Sequence, residues 1–317
     1  MYWLLCGIGF FILISAGDCL VKGAVNLSLK IGIPPLIVSL TIVAFGTSAP
    51  ELLVAVNATL SGSSGIAIGN VVGSNTANIL LVLGLPAFLK GLDTSEFDAK
   101  KTYYFMMVAS FVFIAMAFTG GFGSWQAAVL LFMLLIFLLT NLKDAGVQRS
   151  VDTNKCETNA FELKSQDPLI ASWRIALFLI LGLVGLPLGA DVLVDNASLI
   201  ALSFGISEAV IGLTLIAIGT SLPELATAIV SVFRNQAAVA LGNVIGSNIF
   251  NLLGIIGVTA MIDYIAITPA FLKFDLWVML GASTLLAPFL LLGWRITRLW
   301  GFVLTGGYLA YVYFVLF

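Results

Sequence analysis

Apolar runs recur along this chain, each roughly 17–25 residues or a little longer and so able to cross a hydrocarbon core as a helix. Ten are legible: 1–21, 35–61, 66–89, 102–119, 124–142, 171–194, 207–233, 238–262, 274–293 and 298–316. The link between the fifth and sixth breaks the pattern. Residues 143–170 hold Lys143, Asp144, Arg149, Asp152, Lys155, Glu157, Glu162, Lys164 and Asp167. They are predicted to be a flexible aqueous connector, too short for a regulatory domain. The chain thus divides into a first membrane unit, 1–142, a polar loop, 143–170, and a second membrane unit, 171–317. The predicted class is an all-α integral membrane protein of ten transmembrane helices.

Composition agrees. Hydrophobic residues make up 60% and charged residues 9%, with a mean hydropathy of +1.12. A soluble globule carries about a quarter charged residues to keep its surface wet, so lipid must be the solvent here. Cys6, Cys19 and Cys156 are widely spaced and there is no histidine. That excludes the usual zinc, haem and histidine-based catalytic arrangements. Neither enzyme chemistry, nor a cofactor, nor a nucleic-acid or obligate protein partner is expected. The apolar N-terminus lacks a basic leader region, so residues 1–21 read as a retained helix.

Charge placement tests the span count. With the N-terminus outside, Lys22, Lys30, Lys90, Lys100, Lys101, Lys143, Arg149, Lys155, Lys164, Arg174, Arg234, Arg295 and Arg298 all fall at cytoplasmic ends. Only Lys273 falls outside. Such an excess of basic residues on the cytoplasmic side is what orients membrane proteins. Both termini are therefore expected outside a cell (inner) membrane, with 143–170 in the cytoplasm.

The chain also matches itself at a shift of 173 residues. Residues 46–52 read GTSAPEL and 219–225 read GTSLPEL; 69–78 read GNVVGSNTAN and 242–251 read GNVIGSNIFN. Asp18 falls on Asp191, Thr41 on Thr214 and Ala44 on Ala217 in the same register. Five spans per half make the second half enter from the opposite side. The halves are then inverted repeats, as in many secondary transporters, whose sites lie near the midplane where broken helices meet. The identity is concentrated in two polar blocks, which lipid-facing packing alone would not select.

Glu51 and Glu224 lie at equivalent positions inside apolar runs. A charge at the bilayer centre costs about 2.5–3.5 kcal/mol on insertion scales, so such residues usually face a polar cavity and have a function. No Lys or Arg is near in sequence. A divalent cation between them would neutralise both; two protonated glutamates bonded to carbonyls would be the bland alternative. Thr47 and Ser48 precede Glu51 by four and three residues, and Thr220 and Ser221 precede Glu224 likewise, so a helix would bring each trio together. Pro50 and Pro223 are expected to free carbonyls around Ala44 to Gly46 and Ala217 to Gly219, which is tolerated at membrane depth only beside a cavity. The second block adds Ser74 with Asn78, and Ser247 with Asn251. Gly69, Gly73, Gly242 and Gly246 would let helices approach closely. An oxygen-only ligand set suits Ca2+, and equally Na+, and offers nothing soft for copper or zinc.

These paired blocks resemble the two repeats of the Ca2+/cation antiporter superfamily, in its sodium/calcium exchanger branch. The resemblance spans nearly the whole chain. It implies that Glu51 and Glu224 are the central acidic ligands, and that Thr47, Ser48, Thr220 and Ser221 surround the ion. It further implies ligands at Ser74, Asn78, Ser247 and Asn251, and backbone carbonyls at Ala44 and Ala217. Transport would proceed by alternating access, with spans 1 and 6 sliding against the rest. Many members carry aspartate where this chain has Asn251, while proton-coupled relatives show a G-N-x-x-E block and a histidine, both missing here. Exchange of Ca2+ for Na+ is the expected function; exchange of Ca2+ or another divalent ion for H+, and a passive cation channel, are the alternatives.

Overall fold

In the computed structural model the backbone is described for residues 1–94, 99–159, 170–205, 217–269 and 271–316, and the side chains for this set except 147–159, 217 and 316. The first half contains α1 (Tyr2–Ile31), α2 (Pro35–Thr47), α3 (Ala49–Leu60), α4 (Ser64–Lys90), α5 (Lys100–Ala117) and α6 (Ser124–Asn159). The second contains α7 (Ser172–Ser203), α8 (Ala217–Gly219), α9 (Leu222–Phe233), α10 (Ala237–Ile262), α11 (Phe271–Leu291) and α12 (Arg298–Leu316). Two-residue strands, β1 (Gly121–Phe122) and β2 (Ile265–Ala266), pair antiparallel. Every expected span has a helical counterpart, although residues 207–216, the start of the seventh, lie outside the described residues. The protein is a multi-pass membrane protein built as two repeats.

Two expectations need correction. The link 143–170 is not flexible throughout, because α6 continues as helix to Asn159. Thirty-six residues of helix measure about 54 Å, well beyond a hydrocarbon core of about 30 Å, so the polar last turns project from the bilayer. Span 35–61 is broken, as Pro50 predicts, but at Ser48 rather than within Ala44 to Gly46. Its two helices are bent by 42°.

Helices α4 and α10 form the centre, their buried residues merging into one core with α5, α6, α11 and α12. Helices α1 and α7 lie outside this core as an antiparallel pair. Their backbones touch: a Cβ added at Gly9 would meet the Leu193 backbone nitrogen at 2.7 Å, and one at Gly189 would meet that of Leu13 at 2.7 Å. Small residues permit this approach, and in lipid dispersion at such contacts drives helix association.

The two ends of the molecule are tied differently. At one end β1 joins the α5–α6 turn to the α10–α11 turn through β2. At the other, Leu92 bridges to Ile296, Arg295 pairs with Asp93, Lys101 with Asp144, and Arg234 with Asp18, which Lys22 also reaches at 2.9 Å. The ammonium of Lys90 donates to the carbonyls of Val232 and Phe233 at 3.2 and 3.0 Å, closing the C-terminus of α9. Lys22, Lys90, Lys101, Arg234 and Arg295 thus gather at one end.

Candidate cation site

Ser48 adopts φ −82°, ψ 2°, and Ser221 φ −91°, ψ 4°, which ends one helical arm and starts the next. Pro50 and Pro223 fall in the first turns of α3 and α9, where a missing N–H costs nothing. The break therefore comes just before each proline. Glu51 and Glu224 also occupy these first turns, where the positive end of the helix dipole favours a carboxylate.

Both glutamates are completely buried. The Glu224 carboxylate lies near enough to act electrostatically on Glu51. The hydroxyls of Thr47, Ser48 and Ser247 gather around Glu224. Even so, none of the four carboxylate oxygens has a hydrogen-bond partner among the described residues. The Ser48, Ser221, Asn78 and Asn251 side chains likewise have buried oxygens without a partner among the described residues. Buried polar atoms of native proteins are nearly always bonded, so such a cluster calls for an explanation. Among the described residues no group of three or more His, Cys, Asp or Glu could hold a metal, which leaves hydroxyl, amide and carbonyl oxygens to complete any shell around the two acids.

The halves cross at the site. Thr47 donates to the Oδ1 of Asn243 at 3.1 Å and stands 3.5 Å from the hydroxyl of Ser247. Thr220, half-buried, donates to the Oδ1 of Asn70 at 3.4 Å, and Asn70 donates to the carbonyl of Glu51 at 3.3 Å. Gly246 brings α10 against α2, since a Cβ there would lie 2.6 Å from that of Ala44 and 2.7 Å from the carbonyl oxygen of Leu40. Gly242 does the same beside Ser39. A Cβ at Gly69 would make only ordinary contact, 3.5 Å from the Phe271 ring, and one at Gly73 would meet nothing within 4 Å among the described residues.

Asn78 and Asn251 lie in matching π-helical turns, Asn78–Leu83 of α4 and Phe250–Ile255 of α10. Such single π turns often mark functional sites. The first packs against α9 and the second against α3, so each asparagine belongs beside the glutamate helix of the other half. Ser74 is buried on α4.

The backbone carbonyls depart from expectation. The Ala44 carbonyl is not free: it accepts the Ser48 N–H at 3.0 Å and faces the Thr47 hydroxyl at 3.4 Å. The helix keeps its i→i−4 bond up to the break at Ser48. In the second half the Ser221 N–H goes to Ile218 at 3.0 Å rather than to Ala217. Asn70, Asn243, Asn75 and Asn248 were missed as site residues, although they stand in the matching blocks; a polar residue identical in both halves was the available signal.

Two inverted halves, each with a helix break beside a completely buried carboxylate, define a secondary transporter of the inverted-repeat class. The family model described as sodium/calcium exchanger protein matches residues 1–143 and 174–317, and the chain belongs to that family. It is 36% identical to the inner membrane protein YrbG of Escherichia coli over 310 residues, 96% of this chain and 94% of that one. A sodium/calcium exchanger of Methanosarcina acetivorans is 30% identical over 334 residues, covering 96% and 95%. The solved structure of the sodium-calcium exchanger NCX_Mj superposes with a TM-score of 0.82 at 28% identity, covering 98% of this chain and 97% of that one.

Proposed function

We propose that this protein is a secondary antiporter exchanging Ca2+ for Na+ across the cell membrane by alternating access. The observation that carries this is the pair Glu51 and Glu224, fully buried and with no carboxylate oxygen satisfied among the described residues. Two such charges are tolerable at mid-membrane only when a cation offsets them. Thr47, Ser48 and Ser247 stand around Glu224, and Ser221, Asn78 and Asn251 hold further buried polar atoms without a partner among the described residues. These residues, with Ser74, Thr220 and the carbonyls of Ala44 and Ala217, are the proposed ligands. Ca2+ takes 6–8 oxygens at variable geometry, which such a mixed set can provide. A dehydrated Na+ uses the same hard oxygens.

The gathering of Lys22, Lys90, Lys101, Arg234 and Arg295 at one end supports placing that end, with the α6–α7 link, in the cytoplasm and both termini outside.

Purified protein in proteoliposomes tests the function. Vesicles loaded with Na+ and diluted into Na+-free medium should accumulate radioactive Ca2+. Uptake that follows a pH gradient equally well without Na+ would assign proton coupling. Uptake that neither saturates nor needs a gradient would assign a channel.

A further inference from the structure

Asn75 and Asn248 are repeat equivalents, and they bond each other across the pseudo-two-fold axis. The Asn75 Nδ2 donates to the Asn248 carbonyl at 3.2 Å, and the Asn248 Nδ2 donates to the Asn75 carbonyl at 3.4 Å. A backbone carbonyl can only accept, so each bond decides which end of the amide is nitrogen. With its nitrogen so engaged, Asn248 turns its Oδ1 toward Asn78 and accepts the Asn78 Nδ2 at 3.1 Å. Asn78 must then point its own oxygen the other way. That oxygen is buried without a partner among the described residues, on the π turn that packs against the Glu224 helix.

We propose that Asn248 is a positioning residue for the transported cation: it pins the nitrogen of Asn78 so that the Asn78 oxygen faces the ion. The inference rests on the reading of this cluster as the cation site. An asparagine left to turn freely would present its N–H2 group to the ion part of the time, which repels a cation. A pinned one presents only oxygen.

The repeat-equivalent bond would run from Asn251 to Asn75, and it is not made. The Asn251 Nδ2 and the Asn75 Oδ1 are both buried and without a partner among the described residues. One amide is therefore pinned in this conformation and its counterpart is loose. Inverted repeats exchange their roles when access moves to the other face. In the opposite-facing conformation Asn75 pins Asn251, and Asn78 is released.

The test is the KM for Ca2+ measured separately from each face of oriented proteoliposomes. Asn248→Ala should raise KM on one face by roughly five- to tenfold, the effect of one hydrogen bond, with little change in the maximal rate. Asn75→Ala should raise it on the opposite face. Asn78→Asp placed in the Asn248→Ala background should restore the affinity, because a carboxylate offers oxygen at either end and needs no pinning. If Asn248→Ala does not fold, Asn248→Ser, whose hydroxyl is too short to reach Asn78, serves instead. Unchanged KM on both faces, an equal rise on both, or no rescue would each overturn the proposal. Failure of the site reading itself looks different: Glu51→Gln would then keep full exchange whatever Asn248 does.

Discussion

The Thr47 hydroxyl donates to the Oδ1 of Asn243 at 3.1 Å across 196 residues of chain, and Thr220 makes the same bond to Asn70 at 3.4 Å. Each broken helix is thus tied through its threonine to the central helix of the other half. Any movement that opens the site must work around these two ties.

Replacing Thr47 tests this. Thr47→Val keeps the shape and removes the donor, leaving the buried Asn243 oxygen unsatisfied, at a cost of about 1–3 kcal/mol. The melting temperature in detergent should fall and Ca2+ exchange should drop about tenfold. Thr47→Ser keeps the hydroxyl and should stay close to the parent in both. Equal behaviour of the two variants would show that the bond does not matter.

The glutamates should behave as a unit. Either Glu51→Gln or Glu224→Gln should reduce exchange by about 100-fold or more, since one remaining acid cannot offset a divalent ion in a low dielectric. Ligand linkage gives an independent readout. Ca2+ at about 100 times its dissociation constant should stabilise the parent by about 2.7 kcal/mol. Differential scanning fluorimetry should show this shift, and it should vanish in both variants.

Gly246 should be intolerant of a side chain. The added Cβ would sit 2.6 Å from the Ala44 Cβ and 2.7 Å from the Leu40 carbonyl oxygen. Both neighbours are rigid, so Gly246→Ala should cost about 1–3 kcal/mol by overpacking and lower the melting temperature. Gly306→Ala, on α12 with nothing within 4 Å among the described residues, should be neutral or slightly stabilising, because alanine is the better helix former. Matching losses in the two variants would contradict the close approach of α10 to α2.

Asp18 joins α1 to the end of α9 through Arg234, beside a groove of about 500 Å3 that Cys19 lines together with Val230 and Phe233. The pair is partly exposed and should contribute little to stability, about 0–1 kcal/mol. Its effect should instead be on spacing. With Cys6 and Cys156 changed to serine, Arg234→Gln should raise the labelling of Cys19 by a water-soluble maleimide several-fold, with the melting temperature nearly unchanged. Labelling at the parent rate would mean that the pair does not hold α1 in place.

Much of this was legible in the sequence because its signals are local. Apolar runs mark spans, basic residues mark one end of the bundle, and repetition at a fixed shift marks the two halves. Glu51 and Glu224 stood out because a carboxylate in an apolar run is costly wherever the run packs. Local reasoning failed at Ser48. Proline was expected to disrupt the helix four residues upstream and free the Ala44 carbonyl. The chain instead breaks just before the proline, and Ala44 keeps its bond to the Ser48 N–H. The polar residues after Leu142 suggested loss of structure, yet they carry α6 on to Asn159.

What the sequence determined by itself is which residues are polar at membrane depth and that they come in equivalent pairs, since hydropathy and repetition are properties of chain order. Only the tertiary structure decided which partner each one meets. Thr47 reaches the second half's Asn243, Asn248 holds Asn78 while Asn75 leaves Asn251 loose, and Gly246 is pressed against Ala44. Such choices depend on distances of a few ångströms between helices remote in sequence, and two nearly identical blocks can settle them differently because one conformation cannot satisfy both halves of an inverted repeat in the same way.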